Sequence, residues 1–258
     1  MFISEEEKKL SKQYIKNGFV IADVKELKSL HWVRDFLIKN SNDLLKIKKR
    51  KDNDLLNNIS KYVKPNNLND FRVKVINNLN SSEKFRKNFF NISKNLVENI
   101  VGNELAMQLR ISLSIQMPKD NSSLLPVHAD TWSGVSPFEA VIWLPLVDCF
   151  KSKSMFFLPA NKANKYKNVL LKGNKKSGDI LKKIKKDLIW LNVKYGQVVI
   201  FDQSFPHGNI INKEKTSRWS LNCRFKSIFT PFSDKKLGEY YEPISLKAAS
   251  LRGISYKS

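Results

Sequence analysis

The stretch Leu105-Ala-Met-Gln-Leu-Arg-Ile-Ser-Leu-Ser-Ile115 decides the fold class of this 258-residue chain. Its apolar residues occupy every second position, which is the period of a β-strand with one buried face. Before this stretch apolar residues recur at helical spacing, and after it short apolar runs alternate with turn residues. Helices followed by a series of short strands predict a β-sandwich or barrel backed by a helical layer.

The helical layer is predicted to cover about residues 1–104. Ser4 and Glu7 form a capping-box pattern at its start, and Asn17-Gly18 supplies a helix stop before a short strand at about 19–22. The apolar spacing then predicts further helices, at about 25–47, 54–62, 68–79 and 82–101.

The strand-rich core is predicted to cover about residues 105–230, with a C-terminal segment at about 231–258, all within one domain. A segment at 162–187 interrupts the core with ten lysines, which suits a lid, a binding loop or a solvated flap. Strands are expected at about 105–115, 138–147, 154–158, 189–193, 197–202 and 217–229.

Composition excludes several classes of protein. Hydrophobic residues are 41% and charged residues 27%, which is ordinary globular usage rather than that of a disordered chain. No apolar run approaches the roughly 18 residues of a membrane span. The acidic N-terminus lacks a secretion signal, and Cys149 and Cys223 form neither a zinc motif nor a disulfide framework. A soluble, cytoplasmic protein is therefore expected.

The formal net charge of +22 suggests a polyanionic partner. However, the excess is almost all lysine in a chain also rich in asparagine and isoleucine, a bias that AT-rich coding produces without selection for binding. Nucleic acid is consequently the less favoured partner, because no nucleic-acid-binding motif accompanies the charge.

Three residues carry the clearest chemical signal. His128 and Asp130 are separated by one residue, which places both side chains on the same side of an extended segment, and His207 follows the apolar strand predicted at 197–202. Two imidazoles and one carboxylate on one face of a metal leave three adjacent positions open, as in non-haem Fe(II) oxygenases. A zinc hydrolase would more often use three histidines or an H-E-x-x-H helix.

A second group of polar residues follows His207 by 11 positions. Arg218, Ser220, Asn222 and Arg224 share one face of the last predicted strand. An arginine there can bind a carboxylate with two parallel hydrogen bonds, and Ser220 can add a hydroxyl donor. Ordinary ion pairs with nearby acids are the alternative explanation of the two arginines.

Other residues are weaker candidates. Gln116 and Arg110, expected on opposite faces of the strand before His128, could reach the pocket or solvent, and Gln116 is preferred. Trp132 and Trp219 flank the two motifs and could form the wall of a sugar site, although tryptophan is more often a core residue. Asp202 could orient the imidazole of His207.

The motif His128-x-Asp130, His207, Arg218-x-Ser220 resembles that of the Fe(II)/2-oxoglutarate-dependent oxygenase superfamily, over about residues 105–229. The helical N-terminal layer and Asn17-Gly-Phe-Val-Ile21 resemble the phytanoyl-CoA dioxygenase-like branch. A narrower similarity, to oxygenases of bacterial surface-carbohydrate gene clusters, rests on four motifs: Leu125-Pro-Val-His-Ala-Asp130, Ser133-Gly-Val-Ser-Pro-Phe138, Trp143-Leu-Pro-Leu146 and Lys235-Lys-Leu-Gly-Glu239.

The resemblance implies a double-stranded β-helix (jelly-roll) core, so the expected class is mainly β with an α layer. It implies that His128, Asp130 and His207 bind Fe(II) and that Arg218 and Ser220 bind the co-substrate 2-oxoglutarate, with Gln116 and Arg224 as further candidates. With O₂, such an enzyme would hydroxylate a small molecule and release succinate and CO₂. A carbohydrate or nucleotide sugar, phosphorylated or not, is the expected substrate.

Two alternatives remain open. The pattern Arg218-x-Ser-x-Asn-x-Arg224 also resembles a strand of the nucleic-acid dealkylating branch, although no substrate-flipping lid motif of that branch is recognised here. A jelly-roll protein that binds metal without oxidising a substrate is the other alternative. Sequence alone does not distinguish hydroxylation from desaturation or epimerisation, nor does it reveal the oligomeric state.

Overall fold

The computed structural model describes residues 2–47, 52–170 and 177–256, with helices in the first part of the chain and strands in the second. The helices are α1 Glu5–Asn17, α2 Leu27–Leu45, α3 Asp52–Asn57, α4 Pro65–Asn80, α5 Glu83–Ile100, α6 Ala160–Ala163, α7 Lys167–Leu170, α8 Ser177–Ile184 and α9 Ala248–Ile254. The strands are β1 Phe19–Asp23, β2 Leu105–Gln108, β3 Ser112–Gln116, β4 Glu139–Pro145, β5 Phe156–Phe157, β6 Ile189–Trp190, β7 Gln197–Asp202, β8 His207–Gly208, β9 Arg218–Ser227 and β10 Tyr241–Ser245.

Two antiparallel sheets form the strand-rich part. The larger sheet has the order β1-β7-β4-β9-β2-β10. Strand β3 also belongs to it, and both β2 and β3 pair with β9. The smaller sheet has the order β6-β5-β8. Strand β9 is the longest, and it pairs with β4 from Glu139↔Lys226 to Pro145↔Ser220. It therefore lies in the middle of the larger sheet, with paired strands on both of its edges.

The N-terminal helices form close to where the sequence predicts them, except that the single helix expected at 54–62 is replaced by α3 and a separate 3₁₀ turn at Ile59–Lys61. Ser4 Oγ accepts a hydrogen bond from the Glu7 N–H at 3.1 Å, and α1 ends at Gly18, whose φ of 79° is in the left-handed region. The apolar faces of α2, α4 and α5 pack on the larger sheet in one continuous core. This layer covers one face of the sheet and leaves the other face for a cavity.

The predicted single strand over 105–115 is interrupted in the structure. The backbone leaves the ladder between β2 and β3, because side chains from the helical layer bind its polar groups. Asn80 accepts from the N–H of Ile111 at 2.7 Å and donates to its carbonyl at 2.9 Å. Arg86 donates to the carbonyls of Gln108 and Leu109. Strict alternation predicts strand geometry, but it carries no information on such a break.

The lysine-rich segment 162–187 folds as short helices over its described residues. Phe156, Leu158, Tyr166, Ile180 and Ile184 form a second buried cluster, which attaches the segment to the smaller sheet. The segment is therefore more than a solvated flap, since its apolar residues share a buried cluster with the smaller sheet. Lys172, Lys175 and Lys176 lie outside the described residues.

The C-terminal segment contains two elements that the sequence did not signal. Strand β10 pairs with β2, and α9 follows it. Helices contribute more residues than strands, so the class is mixed helix and antiparallel sheet rather than mainly β. No helix in the described ranges is long and apolar enough to cross a membrane.

Substitution of Phe85 in α5 tests the packing of the helical layer. The Phe85 side chain is fully buried, and its ring lies 5.1 Å from that of Phe36 and 6.3 Å from that of Trp32 on α2. Phe85→Ala should lower the free energy of unfolding by about 3 to 5 kcal/mol in urea denaturation. The control Val73→Ala, on the exposed side of α4, should change it by less than about 0.5 kcal/mol. A loss below about 1 kcal/mol for Phe85→Ala would contradict this packing.

Candidate metal centre

His128 and His207 lie directly opposite each other in an antiparallel β-bridge. The N–H of His128 donates to the carbonyl of His207 at 3.0 Å, and the N–H of His207 donates to the carbonyl of His128 at 2.9 Å. Opposed residues of such a pair project their side chains to the same face. The two imidazole rings consequently lie with their centroids 4.3 Å apart.

Each imidazole also has one ring nitrogen fixed by a backbone carbonyl. Nδ1 of His128 lies 2.8 Å from the carbonyl oxygen of Pro126, and Nδ1 of His207 lies 2.9 Å from that of Phe205. A carbonyl oxygen only accepts hydrogen bonds, so each Nδ1 must carry the proton. In the neutral rings Nε2 is then the atom with a free lone pair, which is how ligating histidines are usually oriented.

Asp130 completes a cluster of three possible ligands. One atom from each of His128, Asp130 and His207 can be chosen so that all lie within 4.8 Å of one another. Nε2 of His128 lies 3.3 Å from Oδ1 of Asp130. The backbone N–H of Asp130 donates to the carbonyl of Gln203 at 2.9 Å, which fastens this residue to the turn that precedes His207.

Arg224 binds the other oxygen of that carboxylate. Its Nη2 donates to Oδ2 of Asp130 at 2.6 Å, and its remaining nitrogens donate to Gln203 Oε1 at 2.8 Å, Tyr240 Oη at 2.9 Å and Gln108 Oε1 at 3.4 Å. The guanidinium is therefore supplied with acceptors on all sides. It orients the carboxylate so that Oδ1 is left for a ligand.

Burial and charge set the protonation of this cluster. Burial alone would raise the pKa of Asp130, but the adjacent His128 side chain and the charge of Arg224 outweigh burial and hold the pKa well below its usual range. Burial, followed by the charge of His128, lowers the pKa of His207 to about 4. At neutral pH the cluster thus offers an ionised carboxylate and a neutral imidazole at His207, the forms that bind metal.

The donor set fits Fe(II). Two imidazole nitrogens and one carboxylate oxygen on one side of an ion leave positions for further ligands on the other side. Both imidazoles have their second nitrogen fixed, and the carboxylate has its second oxygen fixed, as metal sites generally require.

A cavity of about 340 Å³ opens from this cluster. Arg218, Ser220, Asn222 and Arg224, alternate residues of β9, all line it, while Trp219 and the other intervening residues face the core. Apolar side chains from the larger sheet and its neighbours form another part of its wall, namely Leu113, Val141, Trp143, Met155 and Phe201. The volume is at the lower end of the roughly 300–1,000 Å³ of ligand pockets, so small molecules fit best.

Arg218 carries a buried positive charge that nothing in the described chain neutralises. Its side chain is 3% exposed, and its Nη2 donates to Ser114 Oγ at 3.1 Å. Nε and Nη1 of Arg218 and Oγ of the adjacent Ser220 have no hydrogen-bond partner among the described residues. The nearby thiol of Cys149 stays neutral, because burial raises its pKa to about 12. A buried guanidinium with unpaired donors is costly unless an anion binds it.

The other predicted residues lie elsewhere. Gln116 is fully buried, donates to the carbonyl of Ile210 and is not among the described residues that line the cavity. Asp202 does not orient His207; it accepts from the N–H of Ser204, while Phe205 binds the imidazole. Trp219 is fully buried against Phe71, so it cannot form the wall of a sugar site, and Trp132 is 44% exposed beside Asp130.

The structure adds residues to the site that sequence reasoning missed. Arg72 of α4 lines the cavity from the helical layer, and Gln203, Gln108 and Tyr240 support Arg224. Arg72 lies more than 50 positions before the metal motif, so its participation depends on tertiary packing that no local pattern reports.

Comparison with known proteins finds likeness in structure alone. No protein-family model and no curated protein sequence matches the chain. The non-heme monooxygenase ThoJ, solved as a nickel complex, superposes with a TM-score of 0.54 at 12% identity, over 92% of this chain and 84% of ThoJ.

Two structures of EctD from S. alaskensis are also similar. EctD with bound Fe superposes with a TM-score of 0.52 at 12% identity, over 89% of this chain and 79% of EctD. EctD with 2-oxoglutarate and 5-hydroxyectoine superposes with a TM-score of 0.55 at 13% identity, over 89% of this chain and 78% of EctD. The chain therefore shares its fold with non-heme oxygenases.

Gly208 tests how the bridge positions the imidazoles. A Cβ there would lie 2.7 Å from the carbonyl oxygen of Leu125 and 3.0 Å from that of Pro126, the group that binds His128. Gly208→Ala must displace this backbone, so the dissociation constant for Mn(II), measured by electron paramagnetic resonance, should rise about tenfold or more. Gly253→Ala, with nothing within 4 Å of its added Cβ, should leave it unchanged. Equal affinities for the two variants would contradict this role of the bridge.

Proposed function

We propose that this protein is an Fe(II)- and 2-oxoglutarate-dependent oxygenase that hydroxylates a small molecule of the carbohydrate class. In this proposal His128, Asp130 and His207 bind the iron, and Arg218 with Ser220 binds the distal carboxylate of 2-oxoglutarate. Arg224 keeps the carboxylate of Asp130 in place instead of contacting the co-substrate.

One observation carries the proposal: a metal-ligand cluster and an unpaired buried guanidinium line the same small cavity. A dicarboxylate that chelates a metal at one end and carries a second carboxylate at the other needs both features. Neither a plain metal-binding site nor a plain anion site explains the two together. The likeness in fold to EctD with 2-oxoglutarate supports the same assignment.

The residues of the chain divide the work of binding and orientation. Nε and Nη1 of Arg218 and Oγ of Ser220 all lack a hydrogen-bond partner among the described residues. A carboxylate can accept a hydrogen bond from each of these three atoms. Ser114 Oγ accepts a hydrogen bond from the third nitrogen, Nη2. Leu113, Val141 and Met155 line the same cavity as the metal ligands and Arg218, and such apolar surroundings would strengthen both interactions.

Bound iron supplies the activation of O₂ for attack on a C–H bond, and the protein supplies the geometry. In the overall reaction 2-oxoglutarate loses CO₂ and becomes succinate, which takes one oxygen atom of O₂. The substrate C–H bond becomes C–OH with the other atom. The cavity would place the reacting bond beside the ligand cluster, because His128, Asp130 and His207 are themselves among the residues that line it.

The finer parts of the proposal rest on sequence resemblance. Motifs similar to those of surface-carbohydrate gene-cluster oxygenases favour a sugar or nucleotide-sugar substrate and the phytanoyl-CoA dioxygenase-like branch. The antiparallel sheets and their contacts are compatible with a double-stranded β-helix core.

The assay for the proposal is succinate formation from 2-oxoglutarate with Fe(II) and O₂, followed by mass spectrometry. Slow succinate formation without substrate is expected for the wild type, and His207→Ala should abolish it because one of three ligands is lost. Wild-type protein that binds Mn(II) but yields no more succinate than His207→Ala would leave only the metal-binding, non-oxidising alternative.

Arg218→Lys separates co-substrate binding from metal binding. Lysine keeps the charge but loses the planar pair of donors, so the dissociation constant for 2-oxoglutarate should rise about tenfold or more while Mn(II) affinity is retained. Isothermal titration calorimetry under nitrogen measures the dissociation constants of both 2-oxoglutarate and Mn(II). Arg110→Lys, an exposed arginine bound only to Asn77 among the described residues, is the matched control. Unchanged 2-oxoglutarate affinity in Arg218→Lys would refute the assignment of Arg218.

A further inference from the structure

Arg72 brings a third guanidinium to the cavity, from helix α4 rather than from the sheet. We propose that Arg72 is a substrate-recognition residue, which binds an anionic group, a carboxylate or a phosphate, on the molecule to be oxidised. This inference rests on the proposed function and assigns the chemical class of its substrate.

The guanidinium of Arg72 is positioned by neutral groups. Its Nη2 donates to Oδ1 of Asn69, one turn earlier in α4, at 2.7 Å, and its Nη1 lies 3.4 Å from Oγ of Ser123. Ser123 is itself fixed, because its Oγ donates to the carbonyl of Ile115 at 2.6 Å. A guanidinium has five N–H donors, so several remain for a ligand after these two contacts.

The loop that carries Ser123 is attached to the metal-binding strand. Asn209 follows β8, and its side chain donates to the carbonyl of Ser123 at 3.2 Å and accepts from the N–H of Leu125 at 2.7 Å. Arg72, the loop and His207 thus belong to one connected unit. A ligand group bound by Arg72 therefore has a defined position relative to the metal ligands.

The charge balance of the cavity favours an anionic substrate. In the loaded enzyme the two charges of the metal are matched by Asp130 and one carboxylate of 2-oxoglutarate, and Arg218 is matched by the other carboxylate. Arg224 and Arg72 then leave a positive excess in the cavity. No ion pair between Arg72 and a described carboxylate is found. An anion on the substrate would neutralise part of this excess in a partly dry site.

The lysine-rich segment does not supply this recognition. None of its described lysines lines the cavity, and Lys165 forms an ion pair with Asp187 of the same segment instead. Arginine is also better suited than lysine to planar anions, because its fork matches both oxygens of a carboxylate or phosphate. Within the described chain, the cavity residue available for a substrate anion is therefore Arg72.

The test uses protein loaded with Mn(II) and 2-oxoglutarate under nitrogen, so that no turnover occurs. Three probes, glucose 1-phosphate, glucuronate and glucose, are titrated, and the paramagnetic broadening of their NMR signals reports binding near the metal. Electron paramagnetic resonance of Mn(II) and broadening of the 2-oxoglutarate signals check the loading separately. Failure of that loading would count against the proposed function, whereas the comparison among probes in loaded protein concerns Arg72.

We expect at least one anionic probe to bind more tightly than glucose, and the better of the two identifies the anion as phosphate or carboxylate. Arg72→Gln should raise the dissociation constant of the anionic probe about tenfold or more and leave that of glucose unchanged. Arg72→Lys should lose less affinity for the anionic probe than Arg72→Gln does, since lysine keeps the positive charge. Arg110→Gln, whose arginine also binds an asparagine of α4 but lies outside the described cavity lining, should bind all probes as the wild type does.

Two results would overturn the inference. In loaded wild-type protein, anionic probes that bind no better than glucose, or do not bind at all, would show that the cavity has no substrate-anion subsite. An anionic probe that binds Arg72→Gln as tightly as the wild type would show that the subsite does not involve Arg72.

Discussion

The paired backbone hydrogen bonds between His128 and His207 are the constraint on which the site depends. They join a loop after β3 to a two-residue strand that belongs to the smaller sheet. Because opposed residues of an antiparallel pair project to one face, this bridge brings together two imidazoles that are 79 positions apart in the chain. The carbonyls that hold each Nδ1 then leave both Nε2 atoms free for a ligand.

A second constraint comes from burial of charge in β9. Its alternation places Arg218 and Arg224 on the cavity face, yet the two arginines have different surroundings. Arg224 has a carboxylate and three neutral acceptors, so it is complete in the protein alone. Arg218 has one hydroxyl partner and two nitrogens without a partner, so its hydrogen bonds are not satisfied by the described residues. The same residue type therefore holds a carboxylate of the protein at one position and keeps unpaired donors at the other.

Much of this arrangement could be predicted from sequence, because local periodicity and short-range spacing report it directly. The helices of the N-terminal layer and the strand β9 belong to this group. The convergence of His128, Asp130 and His207 was predicted from their donor types and the family resemblance, because no local pattern links residues 79 positions apart. The break before Ile111 could not be predicted, since it depends on the side chain of Asn80 from a distant helix. Sequence also could not predict that the carbonyl of Phe205 binds His207 or that Arg72 lines the cavity, because both depend on tertiary contacts that leave no periodic signal.

The most direct measurement is the metal-bound structure itself. Crystals grown anaerobically with Mn(II) and 2-oxoglutarate would locate the metal by its anomalous scattering. We expect one ion bound by Nε2 of His128, Nε2 of His207 and Oδ1 of Asp130, with the distal carboxylate of 2-oxoglutarate on Arg218. A metal ligated through either Nδ1, a metal elsewhere in the chain, or an Arg218 without an anion would contradict it.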